Sequence, residues 1–163
     1  MTELLQNFVE SLREELKHYG ELLALLELQQ EQVVHRLADE ILATVSAINA
    51  QGEAIQGARL ERSQRQRALA LLLNLPSEAK VAELLPLLPE AYRPLVGALV
   101  EENNQLLTRV RQRARQNHIL LSRAVELMGQ FINSFCAGGV PTYNQVGVMT
   151  QAVAARALYE GVG

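Results

Sequence analysis

The sequence predicts an all-α protein: an elongated antiparallel bundle of about three long helices, with a short connecting helix and a C-terminal amphipathic segment. Leu, Ala and Val dominate the 48% hydrophobic content, while aromatics are 4% and tryptophan is absent, a makeup that suits helices better than a sandwich or barrel. Five prolines and ten glycines in 163 residues are too few for the turns of an all-β chain. Apolar side chains also recur at steps of three and four over long stretches, the period of a helix with one buried face.

The first such stretch runs from Thr2 to about Ile48, through Leu5, Phe8, Leu12, Leu16, Tyr19, Leu23, Leu26, Val33, Leu37, Ile41 and Val45. Thr2 is a candidate N-cap, and Glu3 suits the positive end of the helix. Gly20 is its weak point, tolerated at a cost of about 1 kcal/mol relative to Ala. A bend or break is expected near His35 to Asp39, where the polar face is interrupted. From Asn49 to Arg67 apolar residues thin out and Gly52 and Gly57 appear, so this part reads as an exposed helical arm or contains a loop. Helix resumes over Ala68 to Leu75 and stops at Pro76; Ser77 is then expected to cap a short connecting helix closed by Pro86 and Pro89.

The last long helix is the most regular. Val96, Val100, Asn103, Leu107, Val110, Ala114, Asn117, Leu121, Ala124, Met128, Phe131 and Phe135 alternate steps of four and three, a heptad seam about 60 Å long at 1.5 Å per residue. Two seam positions are asparagine. A buried seam asparagine fixes register and partner number at a cost in stability, whereas the same amides at a splayed end would face solvent; the sequence leaves both open, and with them the choice between a three-helix monomer and a homodimer sharing the seam. The pattern ends after Cys136 at Ala137-Gly138-Gly139-Val140-Pro141. The expected division is therefore a bundle domain over 1–137 and a joint with a partner-binding segment over 138–163. Residues Thr142 to Met149 carry no charge, and Thr150 to Tyr159 can form a short amphipathic helix with Val153, Ala157 and Leu158 on one side. Such apolar content is foreign to a disordered tail; it binds a partner or folds back on the bundle.

Charge is uneven along the chain. Residues 1–58 hold ten acids and three bases, 59–123 six acids and eleven bases, and the whole chain has a net charge of −3. An acidic first helix can thus lie against basic sequence. One basic cluster is Arg59, Arg62, Arg65 and Arg67; the other is Arg109, Arg111, Arg113 and Arg115. The alternate arginines of the second cluster spread around the helix and flank its seam, which favours ion pairs with the first helix over tracking a phosphate backbone. Nucleic-acid binding is the weaker reading, given the net charge and the absence of aromatics near either cluster.

No catalytic pattern emerges. His18, His35 and His118 lie far apart and none has a ligand partner at helical spacing, so no metal site is expected. Cys136 lacks a nearby His or second Cys and reads as packing. The pairs Asp39-Glu40 and Glu101-Glu102 point about 100° apart on a helix and read as solvated faces. Gly138-Gly139 follows a helix instead of preceding one, unlike a phosphate loop. No enzyme and no cofactor are expected. The single cysteine, the lack of a basic start followed by an apolar run, and the lack of an uncharged run of about 18 residues point to a soluble, cytoplasmic protein without membrane insertion.

The C-terminal third carries a resemblance. Arg115-Gln-Asn-His-Ile-Leu-Leu-Ser-Arg-Ala-Val-Glu-Leu-Met, with its N-x-x-L-L segment at Asn117 to Leu121, is followed by a loop and a Tyr-x-x-x-Gly motif at Tyr143 to Gly147. This resembles the FlgN-like family of flagellar type III export chaperones. Leu-Leu-Ala-Leu-Leu-Glu-Leu-Gln at 22–29 and Leu-Leu-Leu-Asn-Leu at 71–75 are similar in style, so the resemblance spans most of the chain; the Gly-interrupted, Gln-rich stretch 49–67 departs from it. The resemblance implies a non-enzymatic cytoplasmic chaperone that holds hook-associated (hook–filament junction) proteins and delivers them to the export gate, a membrane protein with a cytoplasmic domain. It places cargo binding in the C-terminal part, with Val146, Val148, Met149, Val153 and Leu158 as cargo contacts and Tyr143 as the gate-docking residue. A plain coiled-coil scaffold or oligomerisation module is the alternative, and it needs no function for the tail.

Overall fold

The computed structural model describes residues 2–137 together with 142–143 and 149–150. Four helices carry the chain: α1 (Thr2–His35), α2 (Ala38–Leu72), a single turn α3 (Val81–Leu84) continued by a 3-10 turn at Leu85–Leu87, and α4 (Arg93–Ala137). Two short strands follow, β1 (Thr142–Tyr143) and β2 (Met149–Thr150), paired antiparallel. By its contacts the chain divides into two compact units, Met1–Ile119 and Leu120–Gly163.

In the first unit α1, α2 and the leading part of α4 form an all-α bundle. Gln32 meets Thr44, His18 meets Gln51 and Glu15 meets Arg62, so α2 returns antiparallel along α1. Leu12 meets Asn103 and Leu26 meets Asn117, so α4 runs parallel to α1 and antiparallel to α2. One core cluster unites Leu5, Phe8, Val9 and Leu12 of α1 with Leu69 of α2, Leu88 of the connection, and Val96 and Leu99 of α4. A second joins Tyr19, Leu23 and Leu26 to Ile55 and Val110. Each such leucine, moved fully out of water, contributes about 1.5–3 kcal/mol before its entropy cost. Gly20 interrupts nothing: α1 passes through it, and its Cα faces Leu106, whose Cδ2 lies 4.0 Å from where a methyl would sit.

The break near residues 35–39 falls at Arg36 and Leu37. Arg36 has φ 59°, and the Leu37 N–H reaches back to the Gln32 carbonyl at 3.0 Å, the closure of a helix whose first residue beyond the end is left-handed. The end of α2 repeats it: Asn74 has φ 57° and the Leu75 N–H bonds the Ala70 carbonyl at 2.9 Å. Asparagine tolerates that conformation; an arginine there is strained by about 1–2 kcal/mol.

The stretch 49–67 contains no loop. It is helical throughout, because Gly52 and Gly57 are single and every residue between is compatible with helix. The expected cap is not formed. Ser77 Oγ approaches Glu78 at 3.2 Å, and α3 starts only after Lys80, without a side-chain cap. Thr2 is itself the first helical residue of α1. Pro94 sits in the first turn of α4, where its missing N–H costs nothing.

Candidate functional site

Polar side chains hold much of the α1–α2 contact. Glu15 is buried, and its carboxylate takes the Arg62 guanidinium at 2.6 Å and the Tyr19 hydroxyl at 2.9 Å, with Arg59 at 3.8 Å. Burial pushes the Tyr19 hydroxyl up to about 12, and the hydrogen bond to Glu15 and its negative charge push the same way, against Arg59 and Arg62. Gln51 Nε2 donates to the His18 carbonyl at 3.0 Å and to Glu21 at 2.8 Å, and lies 3.1 Å from His18 Nδ1. Thr44 Oγ1 donates to Gln32 at 2.7 Å inside the interface. Arg113 of α4 reaches Glu27 at 3.5 Å and Gln30. Both basic clusters thus contribute an arginine to the acidic face of α1, as the charge pattern leads one to expect.

The asparagines are buried. Asn103 is 7% and Asn117 2% exposed. Each donates Nδ2 to a carbonyl of α1, Leu12 at 3.0 Å and Leu26 at 2.6 Å. Their Oδ1 atoms have no hydrogen-bond partner. The seam is therefore filled within the chain as far as Asn117.

A cavity of about 210 Å³ opens between Glu15, Tyr19, Arg59, Arg62 and Asn103. It offers no nucleophile and no free base, since the carboxylate is already engaged by two donors. Among the described residues no group of three or more His, Cys, Asp or Glu could hold a metal ion, and no helix is long and apolar enough to cross a membrane.

In the second unit Leu121 and Ala124 are half-buried, while Val125 is 69%, Met128 66% and Ile132 59% exposed. Leu121, Val125, Met128 and Ile132 follow one another at steps of four, three and four, so they form a single apolar stripe along that part of α4. Periodicity alone assigned Met128 to the same seam as Val110, yet Val110 is buried and Met128 exposed. The expected gate residue Tyr143 and the expected cargo residue Met149 stand opposite each other in the β1–β2 ladder. Val146, Val148, Val153 and Leu158 lie outside the described residues, as does the expected helix over Thr150 to Tyr159 beyond its first residue.

Comparison with known families bears on what the chain does. Residues 1–151 match the family described as FlgN protein. The chain belongs to the FlgN family. No curated protein and no solved structure matches the chain. FlgN membership makes it, in general class, a flagellar export chaperone. The match includes the 49–67 stretch, so the glycines of α2 are a local departure within a FlgN bundle.

Proposed function

We propose that this FlgN protein works in the cytoplasm, without catalysis, as the carrier of hook-associated (hook–filament junction) proteins, handing them to the cytoplasmic domain of the export-gate membrane protein. The observation that carries the reading is the stripe Leu121, Val125, Met128 and Ile132. A client helix with one apolar face can lie along such a stripe and be released again, because helix-in-groove contacts hold through a few apolar anchors at i, i+4 and i+7. Covering apolar surface is also what keeps an unassembled client from aggregating. In this reading residues 1–137 are the scaffold and 138–163 extend the binding surface through Val146, Val148, Met149, Val153 and Leu158, with Met149 suited to repacking around different clients. Tyr143 docks the loaded chaperone at the gate.

The test is co-purification from an extract of a flagellated host with the full chain, with 1–137, with Tyr143→Ala and with Val125→Ser/Met128→Ser, each checked for helical content by circular dichroism. The reading expects hook-associated proteins on the full chain, their loss on the stripe variant and on 1–137, and their retention by Tyr143→Ala with loss of the gate protein. Equal retention by all four would place binding on the bundle, and a scaffold would show no dependence on 138–163.

A further inference from the structure

We propose that the cavity between α1, α2 and α4 is a binding site for a small organic acid group, a carboxylate on an apolar body of about one side chain. Two guanidiniums face one carboxylate there. Arg62 is spent: its Nε holds Glu15 at 2.6 Å and its Nη1 donates to Gln66 at 2.9 Å. Glu15 is spent as well, since the Tyr19 hydroxyl also donates to it, at 2.9 Å. Arg59 is not. Its Nε is the nearest of its nitrogens to Glu15, at 3.8 Å, its side chain is 49% exposed, and among the described residues its guanidinium has no hydrogen-bond partner. Asn104 of α4 lines the same cavity, and its side-chain amide has no partner among the described residues either. The site therefore carries one positive charge more than it neutralises, with a planar fork of N–H groups and an amide left to receive two oxygens.

The walls decide the other end of the ligand. Leu12 of α1, Val81 of α3, and Val100 and Leu107 of α4 line the same cavity, and the last three are only half-buried, so an apolar group placed against them leaves water. A phosphate would bring charge and no apolar part to these walls. The volume, about 210 Å³, is below the roughly 300–1,000 Å³ of sites for drug-sized molecules, so the apolar body is short. Helices hold these groups in place. Gln66 accepts from Arg62 on its oxygen and donates its nitrogen to the Ala79 carbonyl at 2.8 Å, which ties the connection leading into Val81 to α2. A carboxylate accepted by Arg59 would complete an alternating row of guanidiniums and carboxylates, in a partly buried setting where charge-assisted bonds count for more than in water. Two sources share this chemistry: a free small acid, and the terminal carboxylate of a peptide chain ending in an apolar residue.

The test is a titration of the full chain, followed in amide NMR spectra, with isocaproate, N-acetyl-leucine, isocaproamide and acetate in turn. Both apolar acids are expected to give saturable shifts around Leu12, Arg59, Val81 and Leu107. Isocaproamide lacks the charge and acetate the apolar body, so each should bind about tenfold more weakly or worse. A stronger response to isocaproate assigns a free acid, and a stronger response to N-acetyl-leucine a chain terminus. Arg59→Gln should raise the dissociation constant of the better acid about tenfold or more, while Arg65→Gln, about 120° around α2 from it, should leave that constant unchanged. Circular dichroism checks that both variants keep their helices. Shifts that do not saturate with either acid, equal binding of isocaproamide, or an Arg59→Gln protein that binds as tightly as the parent would each overturn the inference. The site lies within the unit Met1–Ile119 and the client stripe within the other, so none of these outcomes bears on the carrier reading.

Discussion

Asn117 donates its amide to the Leu26 carbonyl oxygen at 2.6 Å, and fourteen residues earlier Asn103 does the same to Leu12 at 3.0 Å. Fourteen is two heptads on both helices, so the pair of bonds sets the sliding register of α4 along α1 as two pins would. A slip of one turn would offer each amide another backbone carbonyl but would part Asn117 from the Gln29 side chain, to which it also donates at 3.0 Å, and a lost buried hydrogen bond costs about 1–3 kcal/mol. The carbonyls themselves remain inside α1, so they are not orphaned when an asparagine is replaced.

From this follows an asymmetry between two substitutions. Asn117→Ala should lower stability by about 2 kcal/mol in urea unfolding, through lost hydrogen bonds and a small void. Asn103→Leu/Asn117→Leu removes the two unpaired Oδ1 atoms as well, so it should melt at or above the parent temperature while showing extra species by light scattering. Uniform monomer in the double variant would mean that register is fixed elsewhere.

Glu15 and Tyr19 predict an alkaline limit. Tyr19 ionises at about 10 in the unfolded chain and at about 12 in the fold, so the neutral hydroxyl favours the folded state. That contribution is whole below pH 10 and is lost as pH rises from about 10 to 12. Tyr19→Phe should flatten the fall in stability over this window relative to the parent. An unchanged slope would exclude Tyr19 as its source.

Replacing Glu15 by Gln should be strongly destabilising, by about 2–4 kcal/mol, since Arg62 then loses its charge partner at a largely buried position. Chemical denaturation reads this directly. Arg65→Gln, which removes an exposed pair with Glu61 on one face of α2, should change stability by less than about 0.5 kcal/mol.

Gly57→Ala should stabilise. A methyl there meets nothing within 4 Å, so the gain is the helix preference of alanine over glycine, about 1 kcal/mol, or about 2–4 °C in melting temperature for a chain of this size. Gly52 is in the same position. A fall in melting temperature at either site would reveal a close contact.

The sequence determined the class of the molecule and much of its layout. The three-and-four rhythm marked α1 and α4, the interruption at His35 to Asp39 marked a bend or break without placing it, and the acidic-then-basic order of charge pointed to an acidic segment against a basic one, without the pairs Glu15–Arg62 and Glu27–Arg113 that the fold forms. The N-x-x-L-L and Tyr-x-x-x-Gly motifs led to the family. What the tertiary structure decided is where each periodic face finds a partner. Periodicity reports that a helix has an apolar side, equally strong at Val110 and at Met128, and carries no information on what lies across from it. Only the meeting of α4 with α1 buried Asn103 and Asn117, and only the folded chain leaves Val125, Met128 and Ile132 in water. Likewise α2 has too weak an apolar face to be placed by pattern: its seat on α1 rests on Ile55 and on long-range polar contacts such as Gln51 with His18, which pair residues far apart in sequence and so leave no local trace.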